Sequence, residues 1–391
     1  MSDKTRIRDV CSRFSSGKAI PASKVYEEGM YPVYGGNGLR GYTDTFNFDG
    51  DCAVIGRQGA YCGNVKYFSG KGYMTEHAVV AVANQHNNSR FLAYKFALMD
   101  LGRYAGQSAQ PGLSVETLLD VELDVPEKNV QDDIACVLST IDEKIENNNA
   151  ICSNLEAMAK LLYDYWFVQF DFPDENGKPY KSSGGKMVWN DELKREIPAG
   201  WEAGVLGDVI EKYTDGISSS NIGDLPYTPM DILPMRQMSF SETGSQEDAN
   251  SSLIRYKKYS LLFGAMRPYF HRVCIAPFDG ITRTTVFTLK ERGNGELGYA
   301  FETLDQDYTV NYANAHHVGT QQPYAEWDGN MEKCTIPLPP AELRRKYSQM
   351  ISDYIDVVIE RNLENKQLAS LRDFLLPMLM NGQVKVGKES A

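Results

Sequence analysis

Residues 131–167, QDDIACVLSTIDEKIENNNAICSNLEAMAKLLYDYWF, predict one long helix around which the rest of the chain is organised. No Gly or Pro interrupts the stretch, and its seam positions alternate at steps of four and three, the spacing of a heptad repeat. The seam consists of Ile134, Leu138, Ile141, Ile145, Asn148, Cys152, Leu155, Ala159, Leu162 and Trp166. So narrow a stripe favours a coiled-coil partner over burial beneath a sheet. At about 1.5 Å per residue, the expected helix length is about 55 Å.

A second copy of this helix lies near the C-terminus. The pattern IDxxIExN at 141–148 returns at 355–362, and leucines follow both copies at similar distances. Two such helices can cover each other's apolar stripe, which predicts an antiparallel coiled coil with an Asn in the seam that fixes the register at some cost in stability. The predicted seam and register residues are Ile141, Ile145, Asn148, Leu155, Ile355, Ile359, Asn362 and Leu368. The alternative is two independent amphipathic helices, each packed on its own domain.

Length and composition exclude several classes of protein. A chain of 391 residues is expected to form at least two domains. Its seven cysteines are scattered and show neither CxxC nor zinc-ligand spacing. The polar start MSDKTRIRDV and the lack of a long apolar run predict a cytoplasmic protein without membrane association. The net charge of −12 predicts weak intrinsic affinity for DNA, so a basic partner would supply most phosphate contacts.

Two globular regions repeat each other at both ends. DVxxRFSxG at 9–17 matches DVxxKYTxG at 208–216, and SAQP at 108–111 matches TQQP at 320–323. These matches predict an α+β protein with two similar mixed α/β domains, separated by the two long helices in a pseudo-twofold internal repeat. The predicted order is a first domain at 1–125, a helix at 126–170, a connector at 171–200, a second domain at 201–338, a helix at 339–382 and a tail at 383–391.

The sequence offers two weak candidates for catalysis. GxxxxGK at 382–388 resembles a phosphate-binding loop, but Glu389 stands where Ser or Thr is needed and no strand precedes it. Asp174, Glu192 and Lys194 resemble the metal-binding carboxylates and lysine of a nuclease, but they lie in the Gly-, Ser- and Pro-rich connector rather than on rigid strands. We therefore predict no catalytic residue and no metal in this chain, with a nuclease using these three residues as the alternative.

Polar side chains in Gly-flanked loops are better explained by nucleic-acid recognition. Arg can pair bidentately with guanine and Gln or Asn with adenine in the major groove, while Tyr hydroxyls can hold phosphates. The predicted DNA-binding residues are Tyr34, Asn37, Arg40, Arg57, Gln58, Gln107, Gln110, Arg267, Tyr269, His271, Arg272, Gln321 and Gln322.

Together these motifs resemble the specificity subunit of a type I restriction–modification system over nearly the whole chain. The resemblance rests on YPVYGGNG (31–38), GRQG (56–59), QPGLS (110–114), the repeated IDxxIExN helices, and WFV (166–168) leading to GKPYKSSGG (177–185) and IPxGW (197–201). One departure is that QPGLS becomes QPYAE at 322–326 in the second half.

The resemblance implies two target recognition domains, each reading one half of a split double-stranded DNA site. It also implies antiparallel helices that set the spacing and dock two methyltransferase subunits, with restriction and translocase subunits joining the assembly. S-adenosylmethionine, ATP and Mg²⁺ are expected on those partner subunits and not on this chain. The remaining alternative is a coiled-coil scaffold that does not bind DNA.

Overall fold

The computed structural model describes residues 4–59, 61–106, 112–319 and 321–387. Contacts within the chain divide it into two compact units. The first comprises Met1–Lys144 together with Leu368–Ala391, and the second comprises Ile145–Gln367. The C-terminal residues therefore belong to the unit that contains the N-terminus, and the second unit is one continuous range.

Two of the described α-helices, Lys128–Tyr163 and Ala341–Met380, are far longer than the rest. The α-helices in chain order are α1 (Ile7–Val10), α2 (Ser89–Leu98), α3 (Val115–Leu119), α4 (Lys128–Tyr163), α5 (Leu297–Asp305), α6 (Asp307–Ala315) and α7 (Ala341–Met380). One π-helical turn, Asp164–Val168, extends α4. The long helix predicted at 131–167 is thus confirmed, as is its second copy.

The strands of the first unit form one large sheet and one small one. They are β1 (Lys4–Arg6), β2 (Cys11–Ser16), β3 (Tyr31–Gly35), β4 (Gly38–Thr43), β5 (Phe48–Gly56), β6 (Val65–Met74), β7 (Ala78–Ala83) and β8 (Glu122–Asp124). Six of them are ordered β2-β7-β5-β6-β3-β4, and β1 pairs separately with β8. Helix α2 packs on β5, β6 and β7 because its apolar side chains, including Phe91 and Phe96, are fully buried in the core.

The second unit divides its strands among smaller sheets. They are β9 (Met187–Asn190), β10 (Arg195–Pro198), β11 (Glu202–Val205), β12 (Ile210–Lys212), β13 (Asp215–Ile217), β14 (Leu253–Tyr256), β15 (Leu261–Gly264), β16 (Val273–Ile275), β17 (Gly280–Arg283), β18 (Val286–Glu291) and β19 (Thr335–Leu338). One sheet is ordered β12-β18-β15-β16 and another β13-β14-β17, while β9–β10 and β11–β19 are antiparallel pairs. The predicted connector at 171–200 therefore contains a β-hairpin.

Within each unit, segments of α4 and α7 run antiparallel. In the first unit the Arg372 guanidinium donates to Asp142 at 3.1 Å. In the second, Asn148 Nδ2 donates to Glu364 and to Asn365, both at 2.9 Å. Sequence numbers rise on one helix as they fall on the other, which confirms the antiparallel pairing. Asn148 is fully buried, as predicted for a seam residue.

The seam residues named from sequence differ in burial. Ile141, Ile355 and Ile359 are buried, whereas Ile145, Leu155, Asn362 and Leu368 are partly exposed. Asn362 does not pair with Asn148; its amide donates to the Ser239 carbonyl at 3.3 Å. The two asparagines at equivalent repeat positions thus have different partners.

The repeat predicted from DVxxRFSxG and DVxxKYTxG is visible in the backbone. Strand β1 pairs with β8 just before α4, and β11 pairs with β19 just before α7. In both units an Asp ends the first strand in the same way: Asp9 accepts from the Arg6 amide at 3.0 Å, and Asp208 accepts from the Val205 amide at 2.8 Å. None of the described helices is long and apolar enough to cross a membrane.

Candidate nucleic-acid interface

In the first unit, a tight turn presents the predicted residues around Asn37. Strand β3 ends at Gly35 and β4 begins at Gly38, which leaves Gly36 and Asn37 as a two-residue hairpin turn. Gly38 has φ of +92°, a conformation that favours glycine. Asn37 and Arg40 are exposed, and Tyr34 is partly buried. The turn therefore directs an amide and a guanidinium toward solvent.

Close backbone packing places this turn beside the loop that follows β5. A Cβ added to Gly56 would lie 2.3 Å from the Gly36 carbonyl oxygen and 2.5 Å from that of Tyr61. No other residue fits there without a shift of the backbone. Gln58, two residues further on, is exposed and forms a β-bridge to Gly112. Gly56 thus brings the Asn37 turn and the Gln58 loop together.

Arg57 is occupied by contacts within the protein. Its Nη1 donates to Ser16 Oγ at 3.1 Å and its Nε donates to the Leu113 carbonyl at 3.2 Å. The guanidinium therefore joins edge strand β2 to the segment after Gly112. Gln107 and Gln110, also predicted to bind DNA, lie outside the described residues.

Sequence reasoning missed three exposed side chains beside this turn. Tyr61, Asn64 and Lys66 line a cavity of about 190 Å³ together with residues 35–38. The Lys66 ammonium lies 3.0 Å from the position of a Cβ built on Gly38. No sequence motif marks these residues: Lys66 lies on β6, which pairs with β5, and Tyr61 and Asn64 lie in the loop that joins the two strands.

The second unit contains the same pair of loops with different side chains. Residues 264–267, GAMR, follow β15 as residues 56–59, GRQG, follow β5. The Ala325 amide donates to the Ala265 carbonyl at 2.8 Å, and the Leu113 amide donates to the Arg57 carbonyl at 2.9 Å. Met266 bridges Tyr324 as Gln58 bridges Gly112. Tyr324 and Ala325 therefore occupy the places of Gly112 and Leu113, despite the difference in sequence.

Four of the predicted DNA-binding residues of the second unit lie in this loop pair. The Arg267 amide donates to the Pro323 carbonyl at 2.7 Å, and its side chain is exposed. Tyr269 is 52% exposed, and Gln321 and Gln322 are exposed. These four side chains belong to the two loops that meet at the bridge between Met266 and Tyr324.

His271 and Arg272 face the protein instead. His271 is 3% exposed, and its Nε2 lies 2.9 Å from both the backbone oxygen and Oδ1 of Asp305. The Arg272 guanidinium donates to the carbonyls of Asp231 and Leu233. A base edge cannot reach a buried imidazole without rearrangement, so these two residues have the geometry of supports for the loop and not of reading groups.

The residues of the nuclease alternative lie in two separate turns of the connector. Asp174 Oδ1 accepts from the amides of Asn176 and Lys178, both at 2.8 Å, and so closes a turn. Glu192 and Lys194 lie in the turn between β9 and β10. Across the described ranges, no group of three or more His, Cys, Asp or Glu residues has the arrangement of a metal site. The connector therefore lacks the clustered donors that the alternative requires.

Comparisons with known proteins identify the family. The family model of the type I restriction modification DNA specificity domain matches residues 2–157. The EcoprrI specificity subunit of Escherichia coli is 40% identical over 33% of this chain and 33% of its own length. The MjaIX specificity subunit of Methanocaldococcus jannaschii is 27% identical over 76% of this chain and 69% of its own length. A putative type I specificity subunit N-terminus of Mycoplasma pneumoniae is 30% identical over 34% of this chain and 75% of its own length.

The chain belongs to the type I restriction–modification specificity subunits. A crystal structure of the S subunit of such a system from M. genitalium shares its fold, with a TM-score of 0.65 and 16% identity over 97% of this chain and 96% of that one. The matches confirm the resemblance seen in the motifs. The chain spans a third of the first relative and about two thirds of the second.

Proposed function

We propose that this chain is the DNA-recognition and scaffold subunit of a type I restriction–modification complex, in which each unit reads one half of a gapped site. The observation that carries the proposal is the repeated loop pair, Gln58 with Gly112 and Met266 with Tyr324. A shared backbone frame with different exposed side chains is what two readers of different sequences require, because bases are distinguished by side-chain donors and acceptors.

The exposed members of the predicted set are assigned to DNA contact. In the first unit they include Asn37, Arg40 and Gln58, with Tyr34 beside them, and in the second Arg267, Tyr269, Gln321 and Gln322. Gln107 and Gln110 remain predictions from sequence. Arg57, His271 and Arg272 are assigned to holding the loops, since Nε and Nη1 of Arg57, Nε2 of His271 and Nη1 of Arg272 already have protein partners. Lys66 is added as a candidate phosphate contact, because lysine acts as a point charge toward phosphate.

The long helices are proposed to set the gap between half-sites. Removing one heptad from both α4 and α7 shortens each by about 10 Å, which corresponds to about three base pairs of duplex. We expect the gap to shrink accordingly while both half-sites keep their bases. A gap that stays fixed would exclude the helices as its determinant.

The same helices present an apolar surface twice. Met158 and Leu161 on α4 are 51% and 67% exposed, and Leu371 and Phe374 occupy matching positions on α7 with 46% and 62% exposure. Solvent-exposed apolar residues at both repeat positions suit two copies of one partner. We assign them to two methyltransferase subunits, which would carry S-adenosylmethionine. ATP and Mg²⁺ would belong to the restriction and translocase subunits of the same cytoplasmic assembly.

A stoichiometry measurement tests this docking surface. Leu161→Gln and Phe374→Gln should each reduce the bound methyltransferase subunits from two to one, as counted by native mass spectrometry, and the double variant should retain none. Met235→Gln, at a 55% exposed position that lies on neither long helix, is the matched control. Two subunits bound by both single variants would place the dock elsewhere.

The recognition role is tested first by mapping methylated bases in host DNA with and without this gene. Loss of one split, gapped motif is the expected result.

In the assembled complex, Gln58→Ala should then relax one half-site and Gln322→Ala the other, each by about 1–3 kcal/mol per lost bidentate contact. Gln85→Ala, at an exposed position remote from the loops, is the control. Site-specific binding unchanged by both loop variants would reject the assignment, and no specific binding by the wild-type complex would favour the scaffold alternative.

A further inference from the structure

The Asp of the first IDxxIExN pattern is held from two sides. The Tyr94 hydroxyl, on α2, donates to Asp142 Oδ2, and the Arg372 guanidinium, on α7, donates to Asp142 Oδ1 at 3.1 Å. Burial, followed by the hydrogen bond to Asp142, raises the pKa of Tyr94, so the phenol keeps the proton that it donates. A hydrogen bond to a charged group is among the stronger ones in proteins. Asp142 thus ties the recognition fold of the first unit to α4.

The Asp of the second pattern receives the same kind of contact from an unrelated place. The Tyr259 hydroxyl donates to Asp356 Oδ1 at 2.8 Å. Tyr259 lies in the loop between β14 and β15, whereas Tyr94 lies on α2. Its φ is +68°, an uncommon conformation for a bulky side chain, and its amide is fixed by the Ala276 carbonyl at 2.8 Å. The fold thus holds a tyrosine in an unfavourable conformation where its hydroxyl meets Asp356.

We infer that Asp142 and Asp356 are positioning residues that fix the orientation of each recognition fold on its long helix, and thereby the DNA gap that the complex accepts. Two tyrosines from different parts of their folds meet the same residue of the repeated pattern, so the contact is a requirement of that position and not a remnant of duplication. A loop displacement of about 3.4 Å, the rise of one base pair, is enough to admit a different gap. The inference rests on the proposed function.

The test uses the complete methyltransferase complex with the mapped site. Methylation rates are measured on three duplexes that keep both half-sites but have the native gap or a gap one base pair shorter or longer. Tyr94→Phe removes only the hydroxyl and should raise the off-gap rate relative to the native-gap rate about tenfold. Tyr259→Phe should raise it by about threefold, because Asp356 is the more exposed carboxylate. Duplexes with an altered half-site should still be rejected by both variants.

Two further variants separate positioning from folding. Tyr73→Phe removes a hydroxyl that donates to the Ala19 carbonyl at 3.0 Å, between two residues outside both long helices, and should leave the gap preference unchanged. Asp142→Asn keeps an oxygen acceptor for Tyr94 and should give an intermediate gap ratio. A wild-type gap ratio in Tyr94→Phe and Tyr259→Phe, or an equal fall in rate on all three duplexes, overturns the inference. A wild-type complex with no gapped site at all would instead overturn the proposed function.

Discussion

The two units share a backbone frame but attach it to their long helices with different chemistry. In the first, Gln131 of α4 donates to the Pro126 carbonyl at 2.8 Å and accepts from the Asn88 amide at 3.0 Å, at the start of α2. In the second, Arg344 of α7 donates to the Pro339 carbonyl at 2.8 Å and pairs with Glu296, at the start of α5.

This difference shows which parts of a duplicated fold are free to change. The glutamine and the arginine perform the same task, since each joins the proline before its helix to the first turn of a domain helix. The side chain is neutral in one unit and charged in the other, but both units keep the connection between the proline and the domain helix. The loops show the same behaviour: Gly112 and Tyr324 form equivalent β-bridges, although one has no side chain and the other has a large aromatic ring.

The largest expected effect comes from breaking the charged attachment. Arg344→Ala leaves the Glu296 carboxylate, 3% exposed, without its partner and should lower the free energy of unfolding of the second unit by about 3–5 kcal/mol. Gln131→Ala in the first unit removes neutral hydrogen bonds and should cost about 2 kcal/mol. Hydrogen exchange of amides in β15 and β5 reports the two units separately. Arg345→Ala, on the exposed side of α7, should leave the hydrogen exchange of both units unchanged. Equal losses of stability from Arg344→Ala and Gln131→Ala would contradict the difference between a charged and a neutral attachment.

A smaller effect is expected where the loops differ. The Tyr324 ring packs edge-on against Phe287, and its hydroxyl donates to the Thr284 carbonyl at 2.9 Å. Tyr324→Gly, which copies the first unit, should therefore destabilise the second by about 2 kcal/mol and weaken recognition of one half-site. Gly112→Ala is the reverse control, because among the described residues an added Cβ would meet only the Arg57 carbonyl, at 3.9 Å. Hydrogen exchange and half-site binding measure both, and an equally large loss in Gly112→Ala would show that the loops are not equivalent.

The smallest effect is expected at the two asparagines of the repeated pattern, Asn148 and Asn362. Asn148 Oδ1 is buried and has no hydrogen-bond partner among the described residues, so Asn148→Leu should stabilise the second unit by about 1 kcal/mol. Asn362→Leu should bring no gain, because Asn362 is partly exposed and already donates to Ser239. Thermal unfolding of both variants decides the point. A loss of stability in Asn148→Leu would mean that its bonds to Glu364 and Asn365 outweigh the desolvated oxygen.

The sequence by itself determined the parts that obey local rules. The heptad spacing from Ile134 to Trp166 predicted α4, the repeat of IDxxIExN predicted α7, and the doubled DVxx motifs predicted two related folds. Each of these follows from periodicity or from a backbone cap, such as those of Asp9 and Asp208, which depend on residues close in sequence. The family could be recognised from the same motifs.

Only the tertiary structure decided what each polar residue does. The sequence predicts that Arg57, His271 and Arg272 are loop residues that contact DNA. In the structure, their side chains form hydrogen bonds with residues up to 56 positions away. Conversely, Lys66 and Tyr61 reach the Asn37 turn through strand pairing, and Tyr259 reaches Asp356 across 97 positions. A side chain's role depends on which distant atoms satisfy its hydrogen bonds, and sequence periodicity carries no information about them.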